Sequence, residues 1–195
     1  MNLQKASDTD LISQVLAGDT RAYAKLLGRY QHMVFTLAVR MLRDQELAEE
    51  VTQDIFLKVY RSLTSFRGDS KFSTWLYRVA YRRILDECGR QKRKREQRAG
   101  FAEGLELIET GNPTWKTLLE QERKEVLLKA LDQLSAEENS LLSLFYLQEL
   151  SLKELGQVLE LKPETVKVRL YRARNRLKKL MEESNTGTLL KTYER

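Results

Sequence analysis

Apolar residues recur every three or four positions through almost the whole chain, the spacing that lines one face of an α-helix, and no stretch of useful length alternates as a strand would. Ser7-Asp8-Thr9-Asp10, a cluster of helix-starting side chains, precedes Leu11, Ile12, Val15 and Leu16 and predicts a short first helix ended near Gly18. A second helix starts at Asp19 or Thr20 and carries Tyr23, Leu26, Leu27, Tyr30, Val34, Leu37, Ala38 and Met41 on its core face. A third, from about Gln45 to Leu63, buries Leu47, Val51, Ile55 and Val59. Phe66-Arg67-Gly68-Asp69-Ser70-Lys71-Phe72 reads as a loop, and a fourth helix from about Ser73 to Lys94 carries the apolar stripe Leu76, Ala80, Ile84 and Cys88.

The periodicity then breaks. Between Gln97 and Trp115, Gly100, Gly104, Gly111, Asn112 and Pro113 interrupt it and Glu103, Glu106 and Glu109 reverse the local charge, so 96–115 is expected to be a flexible linker. Helical spacing resumes near Lys116 with Leu118, Leu119, Val126, Leu127, Ala130, Leu131 and Leu134, and Ser135-Ala-Glu-Glu138 has the form of a capping box for the next helix. The fold class is therefore all-α. Two small helical domains, 1–95 and 116–183, are joined by the linker and followed by a tail, 184–195, expected to fray.

The second half contains the most informative pattern. Ser151-Leu152-Lys153-Glu154 is a second capping box, opening a short helix to about Leu159. Glu160-Leu161-Lys162 makes a turn, and Pro163 restarts a helix at the position where its missing N–H costs nothing. In that helix Val166, Leu170, Ala173, Leu177 and Leu180 form one inward stripe. Gly156 sits mid-helix, where glycine costs about 1 kcal/mol relative to alanine, and points to a close approach within the motif. This is the pattern of a helix-turn-helix, whose second helix reads duplex DNA.

Charge sharpens the picture. The chain has 34 Lys and Arg against 28 Asp and Glu, a net +6, and a sequence pI of about 9.4. The excess is segregated: residues 161–182 hold eight basic and two acidic side chains, and 78–98 hold nine and three, leaving the remainder acidic. Thr165, Lys167, Val168, Arg169, Tyr171, Arg172 and Arg174 are the candidate duplex-reading residues beside the apolar stripe of the last helix. Lys71, Trp75, Arg78 and Arg82 fall four, three and four apart, interleaving cations with an aromatic ring, as binding to unpaired bases requires. The third helix has the opposite character: Glu49, Glu50, Gln53, Asp54 and the apolar Leu57 make a face suited to docking another protein.

Other chemistries find no support. Cys88 is the single cysteine, which excludes an intrachain disulfide or a multi-cysteine metal cluster and fits a reducing compartment. His32, the single histidine, has no acidic or thiol cluster around it, so neither a metal site nor a cofactor is expected. With no phosphate loop and no nucleophile beside a base, no enzymatic activity or small-molecule substrate is expected. The opening residues have no apolar signal core and the longest apolar runs are too short to span a bilayer, so a cytoplasmic protein without membrane insertion is expected.

Three segments in order resemble one family. Glu46-Leu-Ala-Glu-Glu-Val-Thr-Gln-Asp-Ile-Phe-Leu-Lys-Val-Tyr60 is similar to the core-binding segment of the extracytoplasmic-function sigma factors. Phe66-Arg-Gly-Asp-Ser-Lys-Phe-Ser-Thr-Trp-Leu-Tyr-Arg-Val-Ala80 is similar to their promoter-melting segment, and Leu152-Lys-Glu-Leu with Thr165-Val-Lys-Val-Arg-Leu-Tyr-Arg-Ala-Arg174 to their helix-turn-helix. The resemblance implies an initiation factor that binds core RNA polymerase through the beta-prime clamp and beta flap, recognises promoter DNA, and is held in check by an anti-sigma factor. It places Glu49, Glu50, Gln53, Asp54 and Leu57 in the polymerase-binding segment. Arg67, Ser70, Lys71, Phe72, Trp75, Arg78, Arg82 and Arg83 fall in the downstream (−10) segment, and the recognition-helix residues at the upstream (−35) element. A linker of this length reaches ~65 Å at ~3.3 Å per residue, enough for elements ~55 Å apart at ~34–36 Å per DNA turn. Three positions depart from the family's usual residues: Arg82, where many members have Asn, Val168, where many have a small hydroxyl residue, and Glu160, where many have Gly. The alternative reading is a self-sufficient helix-turn-helix regulator whose first helices sense a signal or dimerise.

Overall fold

A computed structural model describes residues 6–97 and 126–193, with side chains over 6–94 and 126–183. The helices follow the apolar periodicity closely: α1 (Asp8–Leu16), α2 (Thr20–Leu42), α3 (Gln45–Ser62), a 3₁₀ turn (Leu63–Ser65) and α4 (Phe72–Gln97) in the first half. The second half has α5, described over 126–132, then α6 (Ala136–Tyr146), α7 (Leu152–Leu159) and α8 (Pro163–Tyr193). Among the described residues there is no strand. Beyond Gln97, the expected linker lies outside the described residues, as does the expected start of the second domain near Lys116. The backbone of α8 continues to Tyr193, past the point near Met181 where fraying was expected.

The helix starts are fixed by local chemistry. Ser7, Ser135 and Ser151 each accept the backbone N–H three residues on, while Asp10, Glu138 and Glu154 reach back to the cap N–H. Such reciprocal capping is worth about 1 kcal/mol per helix. Asp44 caps α3 by accepting the Leu47 N–H at 2.9 Å. At the other end of α1, Gly18 adopts φ +99°, a left-handed value that glycine reaches without strain.

In the first half α2 packs against α1, α3 and α4, around Leu11, Leu26, Val34, Val51, Ile55, Leu76 and Ile84, all at most 2 % exposed. In the second, α8 lies on α6 and α7 over Leu144, Leu155, Val158, Val166 and Ala173, each wholly buried. The two halves also meet: α7 seats on α4 and α6 on α2, and one hydrophobic cluster runs through both. Burying each such aliphatic side chain stabilises by about 1.5–3 kcal/mol.

Candidate nucleic-acid interface

The residues expected to read duplex DNA lie on the open side of α8. Val166, Leu170 and Ala173 point inward, while Thr165, Lys167, Val168, Arg169, Tyr171, Arg172 and Arg174 are all exposed. Val168 and Tyr171 keep 48 % and 64 % of their surface. Several cations are already oriented. Arg174 lies over the rings of Phe145 and Tyr146, 5.2 and 5.3 Å from the centroids. Arg169 pairs with Glu137 at 3.5 Å and Arg176 with Glu138 at 3.8 Å, two acids in the first turn of α6. Arg172 borders the cleft that holds these pairs.

The glycine in α7 has its reason. A β-carbon at residue 156 would lie 2.7 Å from the Leu161 carbonyl oxygen, because the turn folds back so that the Leu161 N–H donates to the Gly156 oxygen at 2.9 Å. The close approach is therefore between helix and turn, within the motif.

The residues expected to hold a separated strand are arranged differently. Phe66, Phe72 and Trp75 form an aromatic cluster with Tyr30, ring centroids 5.5–5.7 Å apart, and Phe72 and Trp75 are 5 % and 6 % exposed. Their rings pack in the core of this arrangement. Arg67, Ser70 and Arg78 line a cleft of about 470 Å³ between the 66–70 loop and α7, which Gln157 and Glu160 close from the other side. Lys71 pairs with Glu154 at 2.9 Å, and Arg82 pairs with Glu160. Hydrogen bonds from Lys71 and Ser151 hold the Glu154 carboxyl down to about 2, and that from Arg82 lowers Glu160. These partners were not legible from the sequence, though opposite charge at the departing positions 82 and 160 was the available signal.

Arg83 joins the two faces of the first half. It donates to Asp54 of α3 at 2.8 Å and to Glu87 at 3.1 Å, and Glu87 also accepts from Arg90 at 2.9 Å. Burial alone would raise Glu87, which is 1 % exposed, but the two arginines outweigh it and hold the carboxyl below its usual range. On α3, Glu49, Glu50, Gln53, Asp54 and Leu57 are all exposed, Leu57 by 56 %.

The chain is thus a helical protein in two parts, with an open acidic face on α3, a cation-lined cleft beside α4 and an exposed basic face on α8. Residues 26–94 match the model for sigma-70 region 2, and 124–177 the model for sigma-70 region 4. The chain is 31 % identical to the RNA polymerase sigma-H factor of Pseudomonas aeruginosa over 92 % of its own length and 96 % of that protein. It is 33 % identical to the ECF RNA polymerase sigma-E factor of Escherichia coli K12 over 88 % and 92 %. Two solved structures share the fold. The sigma factor RpoE of Bartonella quintana, in complex with the anti-sigma factor NepR, gives a TM-score of 0.65 at 21 % identity, covering 82 % of this chain and 96 % of that one. CnrH, in complex with the cytosolic domain of CnrY, gives 0.61 at 23 % identity, covering 89 % and 96 %. The chain belongs to the sigma-70 family of RNA polymerase sigma factors, in its extracytoplasmic-function group. It is a transcription initiation factor that directs the polymerase to promoters. No helix among the described residues is long and apolar enough to cross a membrane.

Proposed function

We propose that the chain does this through three surfaces with separate partners. The exposed face of α3, with Glu49, Glu50, Gln53, Asp54 and Leu57, docks on the beta-prime clamp of core RNA polymerase. Arg67, Ser70, Lys71, Arg78 and Arg82 capture the separated strand of the −10 element, on a loop and helix start fixed by the packed rings of Phe72 and Trp75, with Arg83 holding α3 and α4 in register through Asp54. The outer face of α8 reads the −35 duplex while its domain sits on the beta flap, and residues 96–115 span the distance between the elements. The protein works in the cytoplasm, has no catalytic activity of its own, and is inhibited by an anti-sigma factor, the kind of partner seen with RpoE of Bartonella quintana. The observation that carries this reading is the segregation of charge onto surfaces of different shape: an acidic, partly apolar face on α3 and an exposed basic one on α8.

The test separates this reading from a self-sufficient regulator. The isolated chain should bind promoter duplex weakly and gain specificity and melting with core polymerase. Glu50→Arg should abolish polymerase binding in a pull-down with core enzyme while leaving the helical circular dichroism intact. Tight, sequence-specific binding by the lone chain at physiological salt, or unchanged core binding by Glu50→Arg, contradicts the assignment.

A further inference from the structure

The open side of α8 is not uniform, because α6 holds several of its cations. Arg169 and Arg176 pair with Glu137 and Glu138 in the first turn of α6, and Arg174 lies over Phe145 and Tyr146 at its other end. Helical geometry explains this division. Counting ~100° per residue from the wholly buried Val166, Arg169 and Arg176 fall ~60–80° to one side and Arg174 ~80° to the other, on the flanks that meet α6. Val168 falls ~200° round, on the line furthest from the core, with Arg172 and Tyr171 ~40–60° to either side of it. Val168 is also stiff. Its branched Cβ leaves one strongly preferred χ1 rotamer in a helix, so its two methyl groups are presented in a fixed direction.

A side chain on that outer line, near the start of a recognition helix, meets base edges rather than phosphates. Valine offers them neither a donor nor an acceptor. The apolar feature of the major-groove edges is the thymine C5-methyl, whereas a G·C pair presents two acceptors and an amino donor there. Covering those polar groups without replacing their hydrogen bonds to water is costly. We propose that Val168 determines specificity at the upstream element: its methyl groups pack on the C5-methyl of a thymine, selecting that base and rejecting G·C. The thymine lies one or two base pairs from a guanine held by Arg172, because Cβ atoms four residues apart on a helix are ~5–6 Å apart and stacked bases ~3.4 Å apart. This rests on the reading of α8 as the −35 duplex reader given above.

The test uses holoenzyme formed from the full-length chain and core RNA polymerase, with a duplex promoter library randomised through the −35 element and one fixed salt concentration. Selection should enrich a thymine within one or two base pairs of an enriched guanine. On the enriched duplex, replacing that thymine by deoxyuridine removes only the methyl group and should weaken binding roughly fourfold, the effect of about one buried methylene. Val168→Ala changes an exposed position, so the fold is kept, and its shorter side chain should shrink the difference below about twofold. Arg172→Ala should keep the difference and lose the guanine. No enriched thymine, a difference below about twofold in the unsubstituted protein, or one that persists above about twofold in Val168→Ala overturns the assignment of Val168. Arg172→Ala then decides the wider reading: α8 remains the duplex reader if that variant alters the selected sequence, and does not if the selection is unchanged.

Discussion

Substituting Gly156 by alanine sets two effects of opposite sign against each other, and the structure decides between them. Mid-helix, alanine is favoured over glycine by about 1 kcal/mol, so propensity alone predicts a more stable protein. The new β-carbon, however, would sit 2.7 Å from the Leu161 carbonyl oxygen and 3.8 Å from the Pro163 ring. The nearer of these is backbone and cannot rotate away. Relieving the contact requires a shift of about 0.7 Å, to ordinary van der Waals distance of ~3.4 Å. It must happen in a turn tied by the Leu161 N–H to the Gly156 oxygen at 2.9 Å. Overpacking of this kind costs about 1–3 kcal/mol, and a weakened hydrogen bond adds about 0.5–1.5 kcal/mol. After the propensity gain, a net loss of about 1–3 kcal/mol is expected, or roughly 2–12 °C in Tm for a chain of this size. Differential scanning calorimetry of the purified variant measures it. An unchanged or raised Tm would refute the role of the tight turn, because it would mean that the helix-turn angle is free to relax.

Three further outcomes are expected. Arg83→Ala removes one of two arginines from the buried Glu87 and should cost about 1–3 kcal/mol in chemical denaturation; a change below 0.5 kcal/mol, about the scatter of surface substitutions, would show that Arg90 suffices. The Glu154 carboxyl, held at about 2 against an ordinary 4.5, contributes stability that is complete above pH 4.5 and lost as pH falls towards 2. Carboxyl NMR should therefore find it ionised at pH 3.5, and a midpoint near 4.5 would mean the Lys71 and Ser151 contacts are absent in solution. Limited proteolysis should cut between about Arg95 and Trp115 and give two helical fragments; a chain resistant throughout that segment would contradict the linker.

Local features of the fold were readable because they depend on neighbours in sequence. The capping boxes at Ser135 and Ser151, the stripe Val166, Leu170 and Ala173, and the open acidic face of α3 all appear where the periodicity placed them. What periodicity leaves out is the partner of each face. Trp75 was equally suited to stacking on a base or on its neighbours, and its ring is packed against Phe66, which reaches it from the preceding loop, and against Phe72, on which Tyr30 of α2 packs in turn. Arg83 looked like one more cation in a basic helix until Asp54, 29 residues away, was brought against it. The Arg82–Glu160 pair links positions 78 apart, so no window of sequence could contain it. Its two members nevertheless stood out singly, as departures from the family's usual residues.

The central claim, that separate surfaces read the upstream duplex and the melted strand, is tested most directly by transcription with core RNA polymerase from matched duplex and pre-melted bubble templates at one salt concentration. Arg172→Ala removes a guanidinium proposed to contact guanine in a bidentate way, worth about 1–3 kcal/mol of discrimination, so it should lower recruitment on the duplex and gain little from the bubble. Lys71→Ala with Arg78→Ala should form a closed complex that opens slowly on the duplex and recover on the bubble. If the bubble rescues both variants equally, or neither, the two surfaces do not divide the work in this way.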